Sequence, residues 1–374
     1  MDNYFYYPKV NLMKTKIAGI CLIALISTAL WGQEKSPSKF SGFMFGDFFY
    51  NVTRDTSLGS LANVSNGGVK DLNGFQFRRI YLTYDNEISS TFSSRFRLEG
   101  TTGAPFIKDA YLKWSGIVSG SDLIFGIQPS PSFEVAESYW GFRSVEKTIL
   151  DLRGIAPARD FGVSMKGKII ADGMVNYWIL VGNNSSIGAE TDKYKRVYAH
   201  IDLKPIDRFR VTVYADYKMQ AQINDPASTT SPKKTLGNNV LTSSLFLGYA
   251  EKGSYSVGAE GFVQLSDHGY IHGSAPVVVE DKTALGVSLF GNYTLSADLT
   301  IIGRYDYFDP NTTSAANTDV RQLLIAGASW NIDKNVSIIP NLEVETYEKV
   351  QSGSGKRSVD PSITGKITLY YIFL

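Results

Sequence analysis

The feature that most restricts this chain is a two-residue alternation of apolar and polar side chains, sustained over nine or more residues and repeated almost to the carboxyl end. Phe209, Val211, Val213, Ala215 and Tyr217 fall on one face, against Arg210, Thr212, Tyr214, Asp216 and Lys218 on the other. Val197, Ala199, Ile201 and Leu203 oppose Arg196, Tyr198, His200 and Asp202 in the same way. Tyr255, Val257, Ala259, Val263 and Leu265 oppose Ser256, Gly258, Glu260 and Gln264. A period of two is that of a β-strand with unlike faces. Strands this long, apolar outside and polar inside, are what a closed sheet around a wet lumen needs in lipid. A soluble β-sandwich also alternates, but its strands are usually shorter.

The pattern divides into about sixteen strands, at 39–50, 74–86, 91–99, 107–116, 121–128, 158–169, 173–184, 194–204, 208–222, 239–251, 254–267, 281–294, 298–309, 319–332, 335–349 and 361–374. Short connections such as Glu87–Ser90, Lys204–Asp207, Glu251–Gly253 and Asp333–Asn335 alternate with long ones at 51–73, 129–157, 223–238, 268–280 and 350–360. The expected fold is therefore all-β, a transmembrane antiparallel barrel with short turns at one rim and long loops at the other. Ile367, Leu369, Tyr371 and Phe373 form a last strand of the apolar-aromatic kind that outer-membrane assembly machinery reads.

Composition fits this class, with 22 Tyr, 21 Phe and 34 Gly but 3 His and 1 Cys. So few imidazoles and thiols point away from a metal or redox cofactor, and a net charge of +1 leaves no basic surplus for nucleic acid. The amino end reads as an export signal at 13–32, with Lys14 and Lys16 ahead of an apolar run from Ile17 to Leu30 and Gln33 as the first mature residue. A transmembrane anchor is the alternative there. Residues 1–12 read as an over-extended start, and 33–374 as the barrel domain.

Candidate catalysis is thin. His268 and His272 lie four apart in a stretch read as a glycine-containing loop, and Glu343 and Glu345 share a strand face that suits channel lining better than acid–base work. The expectation is not an enzyme.

Four stretches resemble the phosphate-selective porin O/P family: Ile107-Lys108-Asp109-Ala110-Tyr111-Leu112-Lys113-Trp114, Phe125-Gly126-Ile127-Gln128-Pro129, Glu137-Ser138-Tyr139-Trp140-Gly141-Phe142-Arg143-Ser144 and Arg159-Asp160-Phe161-Gly162-Val163. The likeness is best over residues 74–168. It implies a sixteen-stranded channel, commonly a homotrimer, whose third external loop folds into the lumen, and an anion preference that varies among such porins.

The longest connection, 129–157, opens with Pro129-Ser130-Pro131, which ends a strand by removing donors. Ser144 is placed to cap a helix from Val145 to Leu152, with Val145, Ile149 and Leu152 packing on the barrel wall. Such a loop inside the lumen exposes Arg143, Lys147, Arg153 and Arg159 near a constriction; an ordinary external loop is the other reading. Strand parity turns Arg79, Arg95, Arg97 and Lys113 inward as a positive ladder opposite it, while Glu99, Asp109, Asp160, Asp202, Asp216 and Glu260 also point inward and offset part of that field. These readings predict a passive channel for small hydrophilic solutes and anions. Its surroundings would be outer-membrane lipid and lipopolysaccharide. A plugged barrel with a structural, adhesive or surface-binding role is the alternative.

Overall fold

The computed structural model describes residues 37–55, 69–170, 172–274, 276–313, 319–352 and 355–374. The expected leader at 13–32 and the stretch before it lie outside the described residues. Long alternating stretches become strands because β-branched and aromatic side chains pack well on a pleated surface. The first five are β1 (Ser38–Thr53), β2 (Asn73–Glu87), β3 (Phe92–Gly100), β4 (Phe106–Val118) and β5 (Ser121–Pro129). After two short helices come β6 (Arg159–Lys168), β7 (Val175–Gly182), β8 (Arg196–Ile206), β9 (Phe209–Lys218), β10 (Val240–Glu251) and β11 (Tyr255–His272). The last five are β12 (Val278–Ser296), β13 (Leu299–Asp309), β14 (Arg321–Asp333), β15 (Val336–Tyr347) and β16 (Ser362–Ile372).

Each strand pairs with its neighbours in sequence, and β16 returns to β1 through Phe43↔Ile372 and Asp47↔Thr368, so the sheet is a closed barrel of sixteen antiparallel strands. All sixteen expected strands are present. Connections 88–91, 119–120, 169–174, 207–208, 252–254, 297–298 and 334–335 lie at one rim. The other rim carries 101–105, 130–158, 183–195 and 219–239, together with the described residues of the connections that follow β1, β11, β13 and β15. One expected long loop is corrected. Past a bulge between Ser266 and Tyr270 the ladder resumes at Tyr270↔Glu280 and His272↔Val278, so the 268–280 stretch is mostly strand and His272 sits at its end. His268 takes φ 51° in that bulge, and its Nδ1 lies 3.0 Å from the Gly237 carbonyl oxygen.

Parity holds wherever the ladder runs without a slip. Val213 is 49% exposed and lies between Ile201 and exposed Leu245, whereas Thr212, Tyr214 and Asp216 are buried. Ile179, Val197, Val257, Leu289, Leu324 and Ile367 continue the exposed apolar face around the ring. The opposite face carries the buried charges, among them all six carboxylates expected inside: Glu99, Asp109, Asp160, Asp202, Asp216 and Glu260.

Candidate functional site

Residues 130–158 connect β5 to β6, and their two feet are tied by a Ser130 N–H donating to the Ala158 carbonyl at 3.2 Å. The segment holds α1 (Glu134–Trp140) and a single turn, α2 (Ile149–Leu152). Val135, Ala136, Tyr139 and Trp140 give α1 one apolar face behind Glu134 and Glu137 in its first turn, a helical spacing that was legible in the sequence. Gly141 ends it at φ 72°, its N–H donating to the Glu137 carbonyl, as left-handed glycine C-caps do.

The helix expected over 145–152 is corrected to Ile149–Leu152. Ser144 caps nothing. Arg78 Nη1 donates to the carbonyls of Ser144 and Val145 at 2.7 and 2.8 Å, which diverts both from a helical ladder, and Thr148 just ahead of α2 is extended.

The segment rests on the buried face of β10 to β15. Trp140 and Val145 are fully buried in one cluster with Phe246, Phe290, Ile302, Leu323, Ile325 and Ile339. Ile149 and Leu150 join a second with Phe262, Ala284 and Phe308. Two glycines make room: a Cβ on Gly248 would meet Tyr139 Cε1 at 2.6 Å, and one on Gly286 would meet Phe262 and then Ile149 Cδ1 at 3.0 Å. Polar pins surround this dry patch. Ser256 Oγ donates to the Tyr139 carbonyl at 2.8 Å, Gln264 Nε2 to the Ile155 carbonyl at 3.0 Å, and Arg304 to the Lys147 carbonyl.

Of the eight cations named from sequence, four lie on the opposite wall, three in this segment and Arg159 at the start of β6, and every one has a carboxylate partner. Arg79 pairs with Glu99, Arg95 with Asp85 at 2.7 Å, Arg97 with Asp109 at 3.4 Å and Lys113 with Asp122 at 3.6 Å. Arg143 lies between Glu137 and Asp151, Lys147 is 3.9 Å from Asp151, and Arg159 meets Asp109. Arg153 was expected exposed. It is instead buried against Glu345 at 2.7 Å, where it ties the segment to β15.

Two further cations escaped parity. The ladder slips between Arg97 and Leu98, whose partners are Asp109 and Ile107, and the skipped residue, Lys108, turns inward beside Asp109 to pair with Glu99. A second slip pairs Phe45 with Arg79 but Gly46 with Phe77, and frees Arg78 to reach Asp47 at 3.5 Å and Glu146 at 4.0 Å. A bulge inserts one residue and so flips the faces locally.

These pairs set the protonation of the segment. Burial alone would raise the Glu146 carboxyl, but Arg78 and Lys366 outweigh it and bring it down to about 2. Burial and Arg143 oppose each other at Asp151 too, and the carboxyl ends below its usual range. Two spaces flank the segment. One of about 640 Å³ is lined by Arg78, Arg79, Glu146 and Lys147, and one of about 600 Å³ by Phe45, Glu137, Arg143 and Tyr370. Among the described residues no cluster of His, Cys, Asp and Glu is arranged to hold a metal ion.

No protein-family model matches the chain, and no curated protein matches it. Solved structures do. The outer-membrane channel DcaP of Acinetobacter baumannii is similar at a TM-score of 0.61 and 12% identity, over 90% of this chain and 97% of that one. The anion-selective porin from Comamonas acidovorans gives 0.61 and 13%, over 91% and 100%. OmpF of Salmonella typhi, solved with daunomycin, gives 0.59 and 11%, over 90% and 98%. At such identities the likeness is one of fold alone, that of a closed outer-membrane β-barrel.

Proposed function

We propose that this protein is a passive outer-membrane channel for small hydrophilic solutes and ions, exported by a leader cleaved near Gln33. The observation that carries the reading is a closed ring of sixteen strands with an apolar exposed face and a buried face rich in charge. That inversion of the ordinary globular pattern is stable only where lipid meets the outside and water the inside. Segment 130–158 is the constriction, a loop held in the lumen against β10 to β15, so solutes pass between it and the wall of β2 to β4. Arg79, Arg95, Arg97, Lys113, Arg143, Lys147, Arg153 and Arg159 line that path or brace it. Because each is paired, the channel has a mild anion preference rather than a dedicated phosphate site, and the family resemblance carries only that far. The solved neighbours of this fold include a trimer form, which supports a homotrimer here.

Single-channel conductance of purified protein in a planar bilayer tests the reading. Open, salt-dependent conductance is expected. Replacing Arg95, Arg97 and Arg143 together by Gln should move the zero-current potential in a salt gradient toward cation preference, and less so at high salt. One observation favours the alternative of a plugged, surface-binding barrel: segment 130–158 is packed as tightly as a protein core, with Trp140, Val145, Ile149 and Leu150 fully buried. A silent membrane would decide for it.

A further inference from the structure

Away from the segment's dry seat, the wall of β6 to β9 holds a recess of about 510 Å³ near the rim of short turns. Its size is within the roughly 300–1,000 Å³ of small-molecule pockets. Three buried-face residues form one cross-strand row at its base: Lys166 opposite Trp178, and Trp178 opposite His200. The Lys166 ammonium lies 4.4 Å above the indole centroid. The next row is Lys168, Asn176 and Asp202, with Arg210 gripping Asp202 through Nε at 2.5 Å and Nη2 at 2.8 Å. Pro131 and Val135 of the seated segment close the recess from the far side.

Three features together mark this recess. Unlike the eight paired cations, Lys166 and Lys168 have no carboxylate within 4.0 Å among the described residues, although Glu134 and Asp122 line the same recess beyond that distance. His200 is 8% exposed, lines the recess and has no hydrogen-bond partner among the described residues. The Trp178 indole N–H is also without one. Buried polar groups are normally hydrogen-bonded, so the indole N–H and the imidazole both have bonding capacity left for a molecule in the recess.

We propose that this recess is a binding site for a small aromatic carboxylate, a deepening that rests on the channel reading for its access but not for its chemistry. Lys166 has a flexible four-carbon stem. It swings off the indole, the ligand ring takes the exposed indole face between Trp178 and Val135, and the ammonium pairs with the ligand carboxylate while Lys168 adds charge. His200 hydrogen-bonds the free edge of the carboxylate. Inorganic phosphate has no apolar face to offer Trp178, Pro131 and Val135, and a neutral sugar leaves Lys166 unpaired.

Calorimetric titration of the full purified protein with benzoate, inorganic phosphate, benzyl alcohol and glucose tests this. Benzoate should bind and the other three should bind at least about tenfold more weakly, a difference of one charge-assisted contact or one lost ring contact. Lys166→Gln and Trp178→Leu should each weaken benzoate about tenfold, and Lys233→Gln, at an exposed position of the 219–239 connection, should not. Lys166→Gln serves if Trp178→Leu fails to fold. Equal binding of phosphate or glucose, or benzoate affinity indifferent to Lys166→Gln, overturns the proposal, as does no binding at all. Conductance of the unliganded protein is recorded in parallel: a barrel that binds benzoate but does not conduct sinks the channel reading alone, and one that conducts but ignores benzoate sinks the site alone.

Discussion

The buried faces on the two sides of the ring differ in kind. From β10 to β15 that face presents an apolar patch of Phe246, Phe262, Phe290, Ile302, Phe308, Leu323, Ile325 and Ile339 under the helical segment, bordered by Glu260, Arg304, Asp306 and Glu345. From β2 to β4 it presents Arg79, Arg97, Glu99, Lys108 and Asp109, paired across neighbouring strands. One wall carries a core-like apolar patch, and the other has charge pairs where that patch would be. A connection of this length cannot be held in water by charge pairs alone, since each partly exposed pair contributes little, whereas a few fully buried aromatics contribute several kcal/mol. The asymmetry thus separates holding from lining.

The sharpest way to break that division is at its most buried contact. Trp140→Ala should destabilise docking of the segment by about 3–5 kcal/mol. Protease nicking within 130–158 should then rise while the barrel keeps its thermal midpoint; loss of the barrel itself would show that the seat is part of the wall's own core. A second test uses the outside. Val213→Arg should cost the barrel about 2–4 kcal/mol near a bilayer midplane, read as a shifted refolding titration, and it should leave nicking of the segment unchanged.

Acid offers a gentler probe of the same seat. Glu146 sits in the segment with its carboxyl lowered to about 2 against an ordinary value of 4.5. A lowered folded-state pKa stabilises docking above about 4.5, and the contribution falls away as the pH drops toward 2. Nicking by an acid protease should therefore increase over that window, and Glu146→Gln should flatten the dependence. The smallest effect belongs to the charged wall. Arg95→Gln alone leaves Asp85 unpaired and should shift the zero-current potential slightly toward cations. Arg95→Gln with Asp85→Asn should return it, and a double variant that keeps the shift would mean that the arginine acts alone rather than as half of a pair.

Most of the barrel was legible because period-two alternation is a direct image of a two-faced strand. What alternation missed follows from its own assumption. Arg78 and Lys108 sit at ladder slips, where one extra residue reverses the faces, and nothing local in the sequence marks either slip. The seat was legible in principle. Leu245-Phe246-Leu247, Ile301-Ile302 and Leu323-Leu324-Ile325 are apolar on both faces, which a lumen filled only with water would not tolerate on the inner one. The short helix drifted because Ser144 has the chemistry of a cap, while the long-range reach of Arg78 decides where the turns begin. Pairing of each candidate cation with an acid depends on cross-strand register, which composition does not carry.

The seam between β1 and β16 has a consequence in time. Asp47 and Thr368 hydrogen-bond across 321 positions of chain, so the first strand made must wait for the last before either has a partner on that side. Until then both are open edges, each a template for a strand of another molecule. A chain shortened by its final dozen residues would lack not one rung but the lock itself, and its fate would be decided by whatever shields those two edges during the wait.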